Sequence, residues 1–201
     1  MPRHPDPLRK PQLLAEILDY LLDKSLASVS FRTIAQALGF STYTLVYHFG
    51  SRDELLSEIV AAVSTRTVAV EAQMLEAPDT LDAYFRGFEE SWQWTLQPRS
   101  RQLQRLEFEA SLIEALEPDK HDFSRAIFAT WQRIGQGALT SLGVAPDAAA
   151  LEVRLLVDNF YGIQYDFVLN GEAEPATRAF KEAMRRHRER IDALLPESVR
   201  R

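Results

Sequence analysis

Apolar positions recur every three to four residues along most of the chain, with polar residues between them, and this period predicts helices almost throughout. Leu14, Ile17, Leu18, Leu21 and Leu22 share one face, with Glu16, Asp19 and Asp23 opposite. Pro2, Pro5, Pro7 and Pro11 lead up to that face, so residues 1–11 are expected to form an extended arm. Ser30 is placed to cap a short helix holding Ile34, Ala35 and Leu38, which Gly39 interrupts. Ser41 is placed to cap the next, over about Thr42 to Phe49. After Gly50, Ser51 followed by Asp53 and Glu54 predicts a further start, with carboxylates in the first turn where the helix dipole favours them. That helix runs to about Glu76, with Leu56, Ile59, Val60, Val63, Thr67, Val70 and Met74 on one stripe, and ends at Pro78 and Asp79.

Further stripes follow. Leu81, Tyr84, Phe85, Phe88 and Trp92 stop before Pro98; Leu103, Leu106, Ala110 and Ile113 stop near Pro118; Phe123, Ile127, Phe128, Trp131, Ile134, Ala138, Leu139 and Leu142 end at Gly143. Residues 147–169 are apolar on nearly every side, which predicts a helix buried all round, closed by Gly171 and Pro175. It needs a partner on both sides: its own domain on one, and most simply a second copy of the chain on the other, giving a two-fold interface. Phe180, Met184, His187, Ile191, Leu194 and Leu195 mark a last helix before Pro196. Its basic residues (Arg178, Lys181, Arg185, Arg186, Arg188 and Arg190) are mixed with Glu182 and Glu189, as on a solvated face with i, i+4 pairs. No alternating run between turn signals predicts a strand, so the fold class is all-α.

Composition narrows the function. The 201 residues are 46% apolar and 26% charged, enough for a sizeable core and against disorder. The absence of cysteine removes disulfide scaffolds, thiolate metal sites and thiol nucleophiles together. The longest apolar run, Ile59 to Val63, is far short of the roughly 18 residues of a membrane span, and no secretory signal opens the chain. A cytoplasmic protein with no membrane partner is expected. The four histidines, His4, His48, His121 and His187, share no helical turn, so metal-ligand spacing is missing. There is no G-x-S-x-G elbow, and Gly135-Gln136-Gly137 lies in a helical pattern without a third glycine. No enzyme, metal or cofactor is expected.

The net charge of −6 argues at first against nucleic acid. Its distribution reverses that. Residues 1–52 carry six basic and four acidic side chains, a net of +2, and the remaining 17 basic and 25 acidic ones give residues 53–201 a net of −8. A module near the N-terminus can meet phosphate on an otherwise acidic body.

The informative stretch is FRTIAQALGFSTYTLVYHFGSR, Phe31 to Arg52. Two short helices meet at Gly39-Phe40-Ser41; Ala35 is small where they must cross, and Ile34, Leu38, Phe40, Leu45 and Phe49 supply a shared core. This is helix-turn-helix construction, in which the second helix enters the DNA major groove. Over about residues 8–60 the sequence resembles the TetR family of repressors. Ile34-Ala35, Leu38-Gly39, Ser41, Thr44-Leu45, His48-Phe49 and Ser51-Arg52-Asp53-Glu54-Leu55 stand in that family's spacing. The resemblance implies an N-terminal three-helix DNA-binding domain, here 1–52, and a C-terminal helical ligand-binding and dimerisation domain, here 53–201. It further implies a homodimer on a double-stranded operator, its last two long helices pairing with their symmetry mates. By position, Arg32 reaches a base edge or phosphate, Thr42 and Tyr43 read bases, Thr44 and Tyr47 contact the backbone, His48 contacts phosphate, and Arg52 replaces the usual lysine. Three residues depart from the pattern: Tyr43 where Gly or Ala is usual, Val46 in place of a tyrosine, and Ser25 in place of the glycine that ends the first helix.

The resemblance also implies a switch, an effector pocket among the body's helices whose occupation changes the distance between recognition helices. Aromatics are frequent there: Tyr84, Phe85, Phe88, Trp92, Trp94, Phe108, Phe123, Phe128, Trp131, Phe160, Tyr161 and Tyr165. Phe88, Trp92, Phe108, Trp131, Tyr161 and Tyr165 are the candidate ligand-binding residues, and Glu107, Glu109 and His121 the candidate polar groups. An apolar or aromatic small molecule is the expected effector. Aromatic stripes at helical spacing also serve simply as core, and Glu107, Glu109 and His121 as solvated surface. Two alternatives stay open: a DNA-binding protein without a small ligand, and a helical interaction module whose helix-turn-helix no longer binds DNA.

Overall fold

The computed structural model describes residues 8–74, 78, 80–116 and 122–196, and of residues 64–74 the backbone alone. Among the described residues the chain forms α1 (Arg9–Leu21), a 3-10 turn (Leu26–Ser28), α2 (Phe31–Leu38), α3 (Thr42–Phe49), α4 (Arg52–Met74), α5 (Leu81–Thr95), α6 (Pro98–Leu116), α7 (Phe123–Ser141), α8 (Pro146–Asn170) and α9 (Ala173–Leu194), with no strand. The all-α reading holds. The proline arm does not reach residue 11. α1 starts at Arg9 with Pro11 in its first turn, where the missing N–H has no partner to lose.

Caps set the short helices. Ser30 Oγ accepts from the Thr33 N–H at 3.1 Å, and Thr33 Oγ1 accepts from the Ser30 N–H at 3.2 Å, a reciprocal box that starts α2. Gly39 ends α2 in the left-handed region at φ 73°, where a side chain is strained. Ser41 Oγ accepts from the Thr44 N–H at 3.0 Å to start α3. Ser51 and Glu54 repeat the box at α4, with bonds of 3.1 and 2.6 Å. The two hydrogen bonds from Ser51 hold the Glu54 carboxyl below its usual range.

The chain divides into two compact units: residues 1–65 with 106–123, and residues 66–105 with 124–201. The first has a core of Leu13, Ile17, Leu18, Leu21, Leu26, Ile34, Leu45, Phe49, Leu55, Ile59, Val63, Leu106 and Ala110, all buried. The second is built on α8 packed along α9, with α5 and α7. Its core gathers Tyr84, Trp92, Trp131, Val153, Leu156, Phe160, Phe167, Phe180, Met184 and Ile191.

α8 is not buried all round in this unit. It buries Val153, Leu156, Val157, Phe160 and Phe167 together with Glu152 and Gln164, while Leu151, Leu155, Tyr165 and Leu169 stay exposed. The polar pair is satisfied or engaged. Gln164 Nε2 donates to Thr95 Oγ1 at 3.1 Å, and a Glu152 oxygen accepts from Arg190 Nε at 2.9 Å. The basic residues of α9 follow the expected pattern in part: Arg185 bonds Glu182 and Glu189, and Arg186 bonds Glu182. The hydrogen bonds from Arg185 and Arg186 hold the Glu182 carboxyl at about 2.

Candidate nucleic-acid interface and ligand cavity

α3 buries Leu45 and Phe49 and turns the rest of its surface outward. Tyr43 is 77% exposed and Tyr47 63%, one turn apart on the same face, with rings 6.5 Å apart and inclined by 22°. Tyr47 therefore does not pack on α1. Its ring meets the half-buried His48 edge-on at 5.0 Å. Val46, 48% exposed, completes an i, i+3, i+4 face with Tyr43 and Tyr47. Val46, which stands where the family pattern has a tyrosine, is thus exposed on the same face as Tyr43 and Tyr47. The signal was its spacing from Tyr43.

Thr42 is exposed at the first turn of α3, and Arg32 is exposed at the start of α2. Thr44 is half-buried, its hydroxyl sharing a 2.8 Å hydrogen bond with Ser41 Oγ, so it both supports the cap and lies near the helix N-terminus. Arg52 has a structural task besides its charge. Its Nε donates to the Val29 carbonyl at 2.8 Å, fastening the start of α4 to the link between α1 and α2. The seven candidate contact residues thus lie on α2, α3 and the first residue of α4, all within the first unit.

The Ser25 departure has a local cause. α1 already ends at Leu21, and Ser25 sits at φ −80°, ψ 141°, a backbone any residue adopts. Its Oγ accepts from the Ala27 N–H at 3.2 Å, capping the 3-10 turn, and donates to Glu109 at 3.0 Å. The same Glu109 oxygen accepts from the Leu26 N–H at 2.6 Å. Glu109 is therefore a structural acceptor rather than a solvated group. Glu107 is buried, also contrary to a surface expectation, and His121 lies outside the described residues.

In the second unit a cavity opens between α5, α7 and α8, leaving about 40 Å³ for the centres of water-sized molecules. Of the six candidate ligand residues, Phe88, Trp131 and Tyr161 line it. Tyr161 is stacked on Phe128, their centroids 4.3 Å apart. Trp92, Phe108 and Tyr165 do not line it. Trp92 is core, stacked on Phe180 at 5.0 Å with its Nε1 donating to Thr177 Oγ1 at 3.1 Å. Phe108 falls in the first unit, and Tyr165 is 53% exposed on the outer face of α8. Tyr84 and Phe160, noted among the aromatics but not chosen, are lining residues, as is Ser91. Among the described residues no Asp, Glu, Lys, Arg or His lines it.

Next to this cavity runs a buried polar chain. The Tyr84 hydroxyl and His187 Nε2 share a 3.3 Å hydrogen bond, and His187 Nδ1 lies 4.0 Å from a Glu152 oxygen. Burial lowers His187 to about 4, opposed by Glu152, and burial raises the Tyr84 phenol above its ordinary value. Among the described residues no cluster of three or more His, Asp or Glu could hold a metal ion, and no helix is long and apolar enough to cross a membrane.

Residues 13–59 match the family model for bacterial regulatory proteins of the tetR family. A search of curated protein sequences finds no match. Solved structures share the fold. A transcriptional regulator from Rhodococcus sp. superposes with a TM-score of 0.71 at 17% identity, over 92% of this chain and 95% of that one. A TetR transcriptional regulator from Legionella pneumophila gives 0.65 at 17% identity, over 98% and 100%. SmeT, the repressor of the multidrug efflux pump SmeDEF of Stenotrophomonas maltophilia, gives 0.67 at 16% identity, over 94% and 92%. Residues 13–59 thus match the N-terminal model of the tetR family, and the chain as a whole has the fold of these transcriptional regulators.

Proposed function

We propose that this regulator is a cytoplasmic, ligand-responsive repressor that binds a palindromic operator as a homodimer and leaves it when a mostly apolar small molecule enters the cavity of the second unit. The observation that carries the DNA reading is the outward face of α3, where Thr42, Tyr43, Val46 and Tyr47 stand exposed with Arg32 on the preceding helix. Such a face suits base edges through Arg32, Thr42 and Tyr43, with the phosphate backbone left to Thr44, Tyr47, His48 and Arg52. The exposed apolar face of α8, with Leu151, Leu155 and Leu169, supports pairing with a second copy through α8 and α9. Residues 1–52 would then serve as the DNA-binding domain and 53–201 as the sensor and dimer body. Release requires that the effector favour the conformation with the wrong recognition-helix spacing.

The test is an anisotropy titration with the DNA upstream of the protein's own gene and with a scrambled duplex, each at two salt concentrations. Preference for the upstream DNA, with affinity falling steeply as salt rises, is the expected result. Equal, salt-insensitive binding of both duplexes refutes it. The small size of the cavity favours a second reading, a DNA-binding protein without an effector. Thermal shifts with apolar compounds separate the two, because tight binding raises the melting temperature by mass action.

A further inference from the structure

Trp131 lines the cavity and is only 7% exposed, and its Nε1 is buried without a hydrogen-bond acceptor among the described residues. An indole N–H can only donate. Trp92 shows the ordinary arrangement, its indole bonded to Thr177. The other polar side chains around the cavity are Ser91 and the phenols of Tyr84 and Tyr161, and the Tyr84 hydroxyl is already engaged by His187. The remaining wall is aromatic or aliphatic, with Phe88, Val157 and Phe160 among it.

We propose that the cavity selects a compact, uncharged ring compound bearing one hydrogen-bond acceptor, such as a ketone oxygen, which accepts a hydrogen bond from the Trp131 Nε1–H. This deepens the effector reading above and rests on it. Each part follows from the wall. A carboxylate or ammonium would enter without a counter-charge and lose its hydration. A pure hydrocarbon would fill the space and leave the indole N–H unpaired, so it forfeits a directional contact. A donor such as an amine N–H would face another donor. The flat rings of Phe88, Trp131 and Tyr161 favour a planar ligand, and the small volume favours one ring.

The experiment uses the full-length protein without DNA, so its outcome is independent of operator binding. Two isosteric pairs serve as probes: acetophenone with α-methylstyrene, and cyclohexanone with methylenecyclohexane. Benzoate is the charged control. Affinity is measured by calorimetry, and the three indole N–H resonances are followed by nitrogen-15 NMR, that of Trp131 being assigned by its absence in Trp131→Phe. The ketone of at least one pair is expected to bind about tenfold more tightly than its hydrocarbon partner and to move the Trp131 resonance downfield. In Trp131→Phe the ratio falls to about one. The wild-type ratio and resonance stand even if that variant folds poorly. Equal binding of ketone and hydrocarbon, or binding of benzoate as tight as acetophenone, overturns the acceptor proposal and leaves the cavity as an effector site. Failure of every probe to bind overturns both.

Discussion

Glu109→Ala is the sharpest test of how the first unit is held together. One oxygen of Glu109 accepts from the Leu26 N–H at 2.6 Å and from Ser25 Oγ at 3.0 Å, so α6 grips the turn between α1 and α2. The Leu26 side chain is fully buried beneath it. Hydrogen bonds to a charged acceptor contribute about 1.5–3 kcal/mol, and an unpaired buried donor costs a comparable amount. The Leu26 amide is only partly buried, so water recovers some of the loss. About 2 kcal/mol is expected for Glu109→Ala, roughly 1 for Glu109→Gln, which keeps an acceptor but not the charge, and roughly 1 for Ser25→Ala. In a chain of this size 2 kcal/mol lowers the melting temperature by about 4–8 °C. Because two units need not unfold together, amide exchange at Leu26 gives the local reading. It should accelerate in Glu109→Ala well beyond amides in α8. A double-mutant cycle between Ser25 and Glu109 should return a coupling of about 0.5–1.5 kcal/mol. A cycle near zero, with unchanged exchange at Leu26, would refute the grip.

Arg32→Ala and Tyr43→Ala should each weaken operator binding by about tenfold, the scale of one good base contact, while sedimentation shows unaltered dimerisation; equal binding by wild type and both variants would sink the contact assignment. Val46, exposed beside Tyr43, is suited to thymine methyl groups, so replacing operator thymines by deoxyuridine should weaken wild type more than Val46→Ala, as read by anisotropy. His187 is lowered to about 4 by burial, against about 6.5 when unfolded, so its contribution is complete above pH 6.5 and is lost as pH falls toward 4. That amounts to about 3 kcal/mol, and denaturant melts of His187→Gln should show a flatter profile across this window; Glu54, Asp82 and Glu182, held low, add their own losses only below about pH 4.5. Arg101 donates to the Phe167 and Val168 carbonyls at 3.1 and 2.8 Å and covers the Phe167 ring, so Arg101→Ala should cost about 1–2 kcal/mol by the same melts and fray the end of α8.

What the sequence made legible was local. Caps at Ser30, Ser41 and Ser51 and the stops at Gly39 and Gly50 depend on residues three or four positions apart, and their geometry agrees with the reading. The all-α class follows from period alone. What escaped depends on partners distant in the chain. Phe88 and Trp92 are successive turns of one stripe, yet Phe88 meets the cavity and Trp92 the ring of Phe180, and only the course of α9 decides this. Glu109 reads as a surface carboxylate until Ser25 and Leu26, more than eighty residues earlier, are brought to it. α8 shows the limit most clearly. Its composition predicts burial on every side, but Leu151, Leu155, Tyr165 and Leu169 stay exposed, and periodicity cannot say which of its apolar residues the unit's own core takes. Tyr165 was assigned to a pocket for its type, whereas its place beyond Gln164, which faces inward to Thr95, puts it on the face with Leu151 and Leu169. The same logic bears on the recognition helix. Val46 and Tyr43 break the family pattern as single letters, but on α3 they stand one turn apart and exposed, so the departures alter the chemistry of that outward face and leave its helix and core intact.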